Sequence, residues 1–527
     1  MPMEGPRPSR VRLAELVASL SLGVDLGFGQ PMEHVLRQCL IALRVAERLG
    51  LDEQDRAAVY YTALLVNVGC HADAHEQAKW FGDDITLKSR KYTHELGSVR
   101  GALATMRLIG AGNPPLYRFR AGLEFALSGH REFDGMISRH AQLAQTLAEQ
   151  LGLPAGISGA IGAAYEQWDG RGWPGELKAE AVPVAARIAQ LAEFMEVAHR
   201  VRGVEGARAL ARSRSGRQFD PSLAELLCAE ADEIFVGLDT VRAWQAVIAA
   251  EPALAVELSP GELDGALTAI ANFVDLKSPF MLGHAVAVAE LAEGAGRGLG
   301  LPGEKTELLR RAGLVHGYGR LGVSNSIWDR PGPLSAGEWE RVRMYPYLTE
   351  RILRQSAVLA PLGEIAVQHR ERLDGSGYPR GLSGSAISRL ARVLGAAEAY
   401  QSMREPRPHR PARSAQDAIA EMRAEVRAGR LDGTVVDAVL DAAGHRLPRR
   451  KTAVAGLTGR EVEVLILLAR GLSNKQIAAR LVITPKTVGN HVEHIYVKIG
   501  SSSRATAAMF AVQHGLLPDE EIAVPAR

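Results

Sequence analysis

One short pattern occurs twice in this chain and constrains the fold more than any other feature. DGRGWP fills Asp169–Pro174 and DGSGYP fills Asp374–Pro379, an offset of 205 residues. Each follows a glutamate three residues upstream, Glu166 and Glu371. The register holds nearby: His140 lies 24 residues before Ala164 and Tyr345 lies 24 before His369, while Glu193 and Glu398 each lie 29 after those positions. Further upstream the offset is 250, because His34 precedes Val66 by 32 residues and His284 precedes His316 by 32. The first copy therefore carries about 45 extra residues, placed within 71–135. Spacing shared at so many points means one unit built twice, over about 31–245 and 255–446.

The unit is helical. Apolar residues recur every three or four positions, as in Ile41, Val45 and Leu49 or Val286, Ala289 and Leu291. Two-residue alternation is scarce, so the expected fold class is all-α. A chain of 527 residues that is 46% hydrophobic and 23% charged has material for several buried cores, which excludes a disordered chain. Cys39, Cys70 and Cys228 are an odd, scattered set that suits a reducing compartment. No apolar run reaches the roughly 18 residues of a membrane span. The start, MPMEGPRPSR, lacks the apolar core of a signal peptide. A cytoplasmic protein without membrane contact is expected.

Charge is unevenly distributed. Residues 446–517 hold eleven basic and three acidic side chains, +8 in all, and the tail 518–527 holds −2. The total is +2, so residues 1–445 carry −4. A basic C-terminal module on an acidic body predicts an anionic partner for that module alone. The stretch RLPRRKTAVAG reads as an exposed linker, with the linker proper at 447–456.

The second copy contains GHAVAVAELAE at 283–293, IWDRPGPLSAGEWERV at 327–342 and HRERLDGSGYPRGL at 369–382. These motifs resemble the HD-GYP branch of the HD phosphohydrolases. The resemblance implies a helical domain whose active members hold two or three metal ions and hydrolyse cyclic di-GMP or related phosphodiesters. It also implies a ligand ladder of His, His-Asp, His, His-His and Asp. Against that ladder the second copy keeps His284, His316 and His369. It has Gly317, Tyr345, Arg370 and Glu398 at the other places. The first copy keeps His34 and His140, with Val66-Asn67, Ala164-Tyr165 and Glu193 elsewhere.

Chemistry turns these replacements into an expectation. Gly317 offers no side-chain oxygen to bridge metals or activate a bound water. Arg370 puts a permanent cation where a neutral imidazole would bind. Like charges at such spacing repel by about 4 kcal/mol at an effective dielectric near 20. No catalytic residues and no cofactor are therefore expected. The remnant His284, His316 and His369 is the one place where a single divalent metal fits the residue types. The two GYP-type loops read either as structural turns or as loops closing over a ligand. In the second reading Arg330, Arg370, Asp374, Tyr378 and Arg380 line a pocket for a small molecule. In the first copy Cys70, His71, Asp73, His75 and Glu76 fall within seven residues. On a helix His71 and His75 lie one turn apart, a spacing that ligates metal, but an ordinary polar segment is the reading favoured.

The C-terminal stretch 457–517 closely resembles the LuxR-type helix-turn-helix, which implies a four-helix DNA-binding domain. The residues agree. Thr458 with Glu461 makes a capping box, as does Ser473 with Gln476. Thr484 caps a third helix with Pro485 at its first position. Val488, Val492, Ile495 and Ile499 then form one apolar stripe, ended by Gly500. At 100° per residue Lys486 and Asn490 lie opposite the stripe, with Thr487 and His494 on one flank, so these four are expected in the major groove. Lys475 is placed for a phosphate. Family members commonly carry Lys where this chain has Gly489. One such module has little contact area, so paired half-sites and a homodimer are expected, with Ala507, Ala508, Phe510 and Ala511 on the dimer surface. The predicted protein is a DNA-binding regulator whose degenerate body senses a ligand or dimerises. The alternatives are a metal-dependent phosphodiesterase joined to a DNA module and a constitutive DNA-binding dimer.

Overall fold

A computed structural model describes residues 11–92, 106–110, 114–125, 127, 130–252, 255–444, 455–514 and 516–517. The tail 518–527, most of the linker 447–456 and part of the insertion expected within 71–135 lie outside them. The described residues are helical apart from short connections and one antiparallel pairing of Val11–Arg12 with Glu257–Leu258. The chain divides into two compact units. Of the described residues, one gathers those up to Cys70, those within Trp80–Ala269 and Gln355–Leu359; the other gathers His71–Lys79, Ile270–Arg354 and those from Ala360 onward. The His71–Lys79 segment thus belongs to the first repeat by sequence and packs in the unit built by the second.

The repeat is visible in matching local structure, and it starts earlier than residue 31. Helix Leu13–Gly27, buried along nearly its whole length, ends in the same Val-Asp-Leu as Val274–Leu276, which closes helix Pro260–Asp275. Asp25 accepts the Val35 amide at 3.1 Å and Asp275 accepts the Ala285 amide at 2.8 Å. Each carboxylate holds the first turn of the helix that opens with the ladder histidine, His34–Arg48 or His284–Gly298. Burial pushes both carboxyls up to about 7. The residue before each histidine is left-handed, with φ of 78° at Glu33 and 75° at Gly283. Glycine adopts that conformation freely, whereas Glu33 carries about 1 kcal/mol of strain there.

The two GYP-type loops are built alike. Glu166 accepts the amides of Gly175, Glu176 and Leu177; Glu371, offset by 205, accepts those of Arg380 and Leu382. A Cβ on Gly172 would lie 2.3 Å from the Gln167 nitrogen, and one on Gly377 would lie 2.4 Å from the Arg372 nitrogen. Close backbone approach therefore requires glycine at both places, and the loops serve as structural turns. The second core joins Val288, Leu291 and Ala295 to Leu309, Val393, Leu394 and Ala397. Burying one such leucine contributes about 2 kcal/mol. This packing presents His284, His316, His369 and Glu398 to one interior point.

Candidate ligand pocket and nucleic-acid interface

In the second unit three histidines meet. The His284 and His316 rings lie 5.5 Å apart and those of His316 and His369 lie 5.1 Å apart. His316 donates from Nδ1 to the Gly313 carbonyl at 2.6 Å, His284 from Nδ1 to Glu405 at 2.7 Å, and His369 from Nδ1 to the Ala366 carbonyl. Each Nε2 is then an acceptor, the form a metal ligand takes. Yet every Nε2 already has a donor. One Arg320 nitrogen, Nη2, lies 3.3 Å from Nε2 of both His284 and His316. The Tyr345 hydroxyl donates to Nε2 of His369 at 2.7 Å. Arg370 donates to Tyr345 at 2.8 Å and pairs with Glu398. Two guanidinium groups stand where positive metal charge would be needed, and the donor set does not fit a metal centre. Among the described residues no group of three or more His, Cys, Asp or Glu side chains is arranged to hold an ion.

The electrostatics follow from that arrangement. Burial, followed by Arg320 and the neighbouring histidines, lowers His316 well below the usual range; burial and Arg370 lower His369 to about 3. Burial alone would raise Glu398, but Arg370 leads the cations that hold it well down. Gly317 is part of the same design. A Cβ on it would lie 3.3 Å from Arg320 Nη1, so losing the ladder aspartate leaves the space that the guanidinium fills.

The first unit reaches the same end with a lysine. Lys91 Nζ lies 2.7 Å from Glu193 Oε1 and 3.0 Å from Asn67 Oδ1. Tyr92 donates to Glu193 at 2.9 Å, Asn67 Nδ2 donates at 2.6 Å, and Tyr165 donates to Asn67 at 3.1 Å. Burial works to lower His34, but Glu196, 2.5 Å from Nδ1, outweighs it and raises the imidazole, which favours the cation. Neither Lys91 nor Arg320 carried a role in the sequence reading. Lys91 lies within 71–135, where the insertion breaks the register and no spacing assigns it a repeat counterpart. Arg320 could have been found, because it lies one turn beyond His316 and beside the vacated Gly317.

The pocket residues expected from sequence separate. A cleft of about 670 Å³ opens beside the second-unit histidines and includes Arg330 and Arg370. Asp374, Tyr378 and Arg380 are not among its lining residues. Asp374 accepts the Ser376 amide and hydroxyl within its own turn, Arg380 is drawn to Glu350 at 2.6 Å, and Tyr378 packs with Val323, Ile327 and Tyr345. Sequence proximity to a turn did not predict these partners, which take up all three side chains. Arg320, Arg407, Arg410, Trp328 and Trp339 line the cleft instead. His71 and His75 do not converge either. His71 bonds the Phe273 carbonyl at 2.7 Å, and His75 pairs with Asp329 at 2.8 Å.

The C-terminal module follows its local signals. Capping boxes form at Thr458–Glu461 and Ser473–Gln476, and Thr484 caps helix Pro485–Ile499. Val488 and Ile495 are fully buried, with Val492 and Ile499 partly so. Lys475, Lys486, Asn490 and His494 are exposed, and Thr487 is half-buried. Lys498 pairs with Glu461 at 2.7 Å, tying this helix to the first and holding that carboxyl down to about 2. In the last helix, Arg504–Gln513, Ala507 and Ala511 are fully buried and Ala508 nearly so. These alanines pack within the chain and are not free for a dimer partner, so the expected dimer surface keeps only Phe510 of the four named. Nothing lies within 4 Å of a Cβ built on Gly489. Gly489→Lys is therefore expected to remove about 1 kcal/mol of helix penalty and to add one phosphate contact. A mobility shift across a salt series should show tighter binding and a slope steeper by about one per module.

Comparison with known proteins agrees with both halves. A family model described as "HD domain" matches residues 130–223 and 268–435, and one described as "Bacterial regulatory proteins, luxR family" matches 455–511. The 3'3'-cGAMP-specific phosphodiesterase 3 of Vibrio cholerae is 32% identical over 416 residues, 78% of this chain and 90% of that protein. The 3'3'-cGAMP-specific phosphodiesterase 1 of the same organism is 38% identical over 175 residues, 32% of this chain and 40% of that protein. A crystal structure of a cyclic GMP-AMP specific phosphodiesterase of V. cholerae superposes with a TM-score of 0.58 at 27% identity, covering 84% of this chain and 100% of that one.

Proposed function

Because this chain belongs to the HD-domain family and carries a luxR-family DNA-binding module at its C-terminus, we propose that it is a cytoplasmic, homodimeric transcription regulator whose body senses a ligand without hydrolysing it. One observation carries the reading. The Nε2 atoms of His284, His316 and His369 are all bonded to the protein's own donors, Arg320 and Tyr345. A hydrolase of this family needs open metal positions and an activated water; here guanidinium and ammonium groups neutralise Glu398 and Glu193 instead.

A route from body to module supports the sensing role. Phe280 and Met281 line the cleft, and Arg407 donates to the Phe280 carbonyl at 2.6 Å. Their neighbours face the module: a Cβ on Gly471 would lie 3.0 Å from Pro279, and one on Gly283 would lie 3.8 Å from Val512. A ligand that moves Arg407 moves the segment on which the module rests. It changes DNA affinity by its differential binding to the two arrangements. The small molecule in the names of the relatives, 3'3'-cGAMP, is the first to try.

The relatives' phosphodiesterase names favour a second reading, hydrolysis by this body as well. Purified full-length chain incubated with 3'3'-cGAMP and Mn²⁺ separates the two: the regulator reading expects no turnover, together with a footprint on duplex DNA. Gly317→Asp is a sharper version. The new carboxylate would lie against Arg320 and pair with it, so no metal-dependent hydrolysis is expected from that variant. Appreciable turnover by either protein would overturn the regulator reading in favour of an enzyme.

A further inference from the structure

The insertion of the first copy carries an apolar surface on a firmly anchored helix. Helix Pro115–Glu124 buries its inner face: Ala121 joins Trp80, Phe81, Ile109 and Met136 in one cluster, with Phe125 packed against it. Arg118 ties the helix to the turn before it, donating to the Arg107 carbonyl at 2.9 Å and to that of Ile109 at 3.4 Å. The outer face is apolar as well. Leu116 is 81% exposed, Phe119 73%, Leu123 55% and Leu127, just past the helix end, 73%. Successive spacings of three or four residues put all four on one side. Met106, 56% exposed, shares a groove of about 540 Å³ with Pro115, Phe119 and Gly122.

The area is that of an interface. At roughly 200 Å² per fully exposed residue of this size, the five amount to about 700 Å², more than the roughly 300–600 Å² of a typical monomer's largest apolar patch. Two such faces together would bury about 1,400 Å², within the roughly 1,200–2,000 Å² of a stable protein pair. Charge selects a second copy as the occupant. Arg120 and Glu124, both exposed, lie one turn apart on the same flank of the helix. A two-fold axis through the middle of the helix runs two copies antiparallel and sets Arg120 of each beside Glu124 of the other. Gly122 falls at that crossing. Glycine weakens a helix, yet a Cβ added here would meet nothing of its own chain within 4 Å. A second helix crossing at this point gains close approach from its absence.

From these features we propose that this face is the homodimer interface of the protein, occupied by the same helix of a second copy in antiparallel pairing. Three of the four residues expected at a dimer surface on the C-terminal helix, Ala507, Ala508 and Ala511, are buried within the chain. The pairing that two half-sites demand therefore needs another surface, and the insertion supplies it. This inference rests on the reading of the chain as a homodimeric DNA-binding regulator.

The test is sedimentation velocity of the full chain over a dilution series, with circular dichroism to check the fold of each variant. The natural chain is expected to sediment as a dimer. Phe119→Glu and Leu123→Glu, both at exposed positions that leave the cluster beneath untouched, should each weaken self-association about a hundredfold or more. Val236→Glu, at a 61% exposed position outside this face, should not. Arg120→Glu should weaken it about tenfold, and adding Glu124→Arg should restore it, which the antiparallel arrangement alone requires. A monomeric natural chain, a dimer indifferent to both apolar-to-glutamate changes, or a charge reversal that restores nothing overturns the proposal. DNA footprints on the same preparations keep the two readings apart. A dimer that survives Phe119→Glu and Leu123→Glu and still covers paired half-sites removes this surface and leaves the regulator. Dimers lost in both variants, with no footprint by the natural chain on any duplex, uphold the surface and remove the regulator reading.

Discussion

Replacing both Lys486 and Asn490 with alanine is expected to lower affinity for a specific duplex about a thousandfold while leaving the protein folded. Both side chains are exposed on helix Pro485–Ile499, one turn apart, and opposite the buried Val488 and Ile495. Alanine is the best helix former, so neither change weakens the helix. The contacts that fix this helix in the module, Lys498 with Glu461 and the apolar stripe, are untouched. Base-directed contacts carry about 1–3 kcal/mol each. Two in each of two half-sites put the loss at about 4 kcal/mol or more, which is the thousandfold stated. A mobility shift on a duplex selected from random sequence measures it, with far-ultraviolet circular dichroism confirming the fold. Lys475→Ala supplies the contrast: it should weaken all duplexes alike and lower the salt slope by about one. Unchanged affinity of the double variant would show that another face of the module enters the groove.

The second large effect lies in the first unit. Lys91→Met is expected to destabilise it by about 3–5 kcal/mol, the cost of removing one partner from a buried ion pair. Glu193 is 1% exposed, and Lys91 supplies the full positive charge bonded to it. Asn67 and Tyr92 still donate to the carboxylate, but neither carries charge. The pH dependence should reverse with the substitution. Burial works to raise Glu193, but Lys91 holds it below its ordinary value. In the natural chain it therefore adds stability above the unfolded carboxyl range, near pH 4, and loses it as pH falls. Without Lys91 burial raises the carboxyl, so the variant should lose more stability at pH 8 than at pH 5. Adding Glu193→Gln should recover most of the loss, because the lone buried charge is gone. Denaturant unfolding followed at both pH values reads all three. A loss under about 1 kcal/mol for Lys91→Met would mean the ammonium does not fill this point.

Much of this was legible before any coordinates. The helical periods, the two GYP-type loops and the offsets of 205 and 250 describe a repeated helical body. Thr458, Ser473, Thr484 and Pro485 mark the module's helices because capping acts within three or four residues of chain. The Asp25 and Asp275 match was also present in the sequence and extends the repeat to helix Leu13–Gly27. Sequence proximity to a turn did not predict the partners of Asp374 and Arg380, because what a side chain in a turn meets depends on how the turn packs; Glu350 and Ser376 decide it.

The sequence by itself determined which metal-binding groups are missing, since a ligand's identity is a property of one residue. It also determined where the helices start, since caps and apolar stripes are local. Only the tertiary structure decided what took the missing groups' place. Lys91 is 24 residues from Asn67 and 102 from Glu193, yet its ammonium lies within 3.0 Å of both side chains. Arg320 bonds His284 from 36 residues away because Gly317 leaves it room. Buried charge is balanced across space in a medium of low polarity, and no spacing along the chain records which cation will come to rest beside which carboxylate.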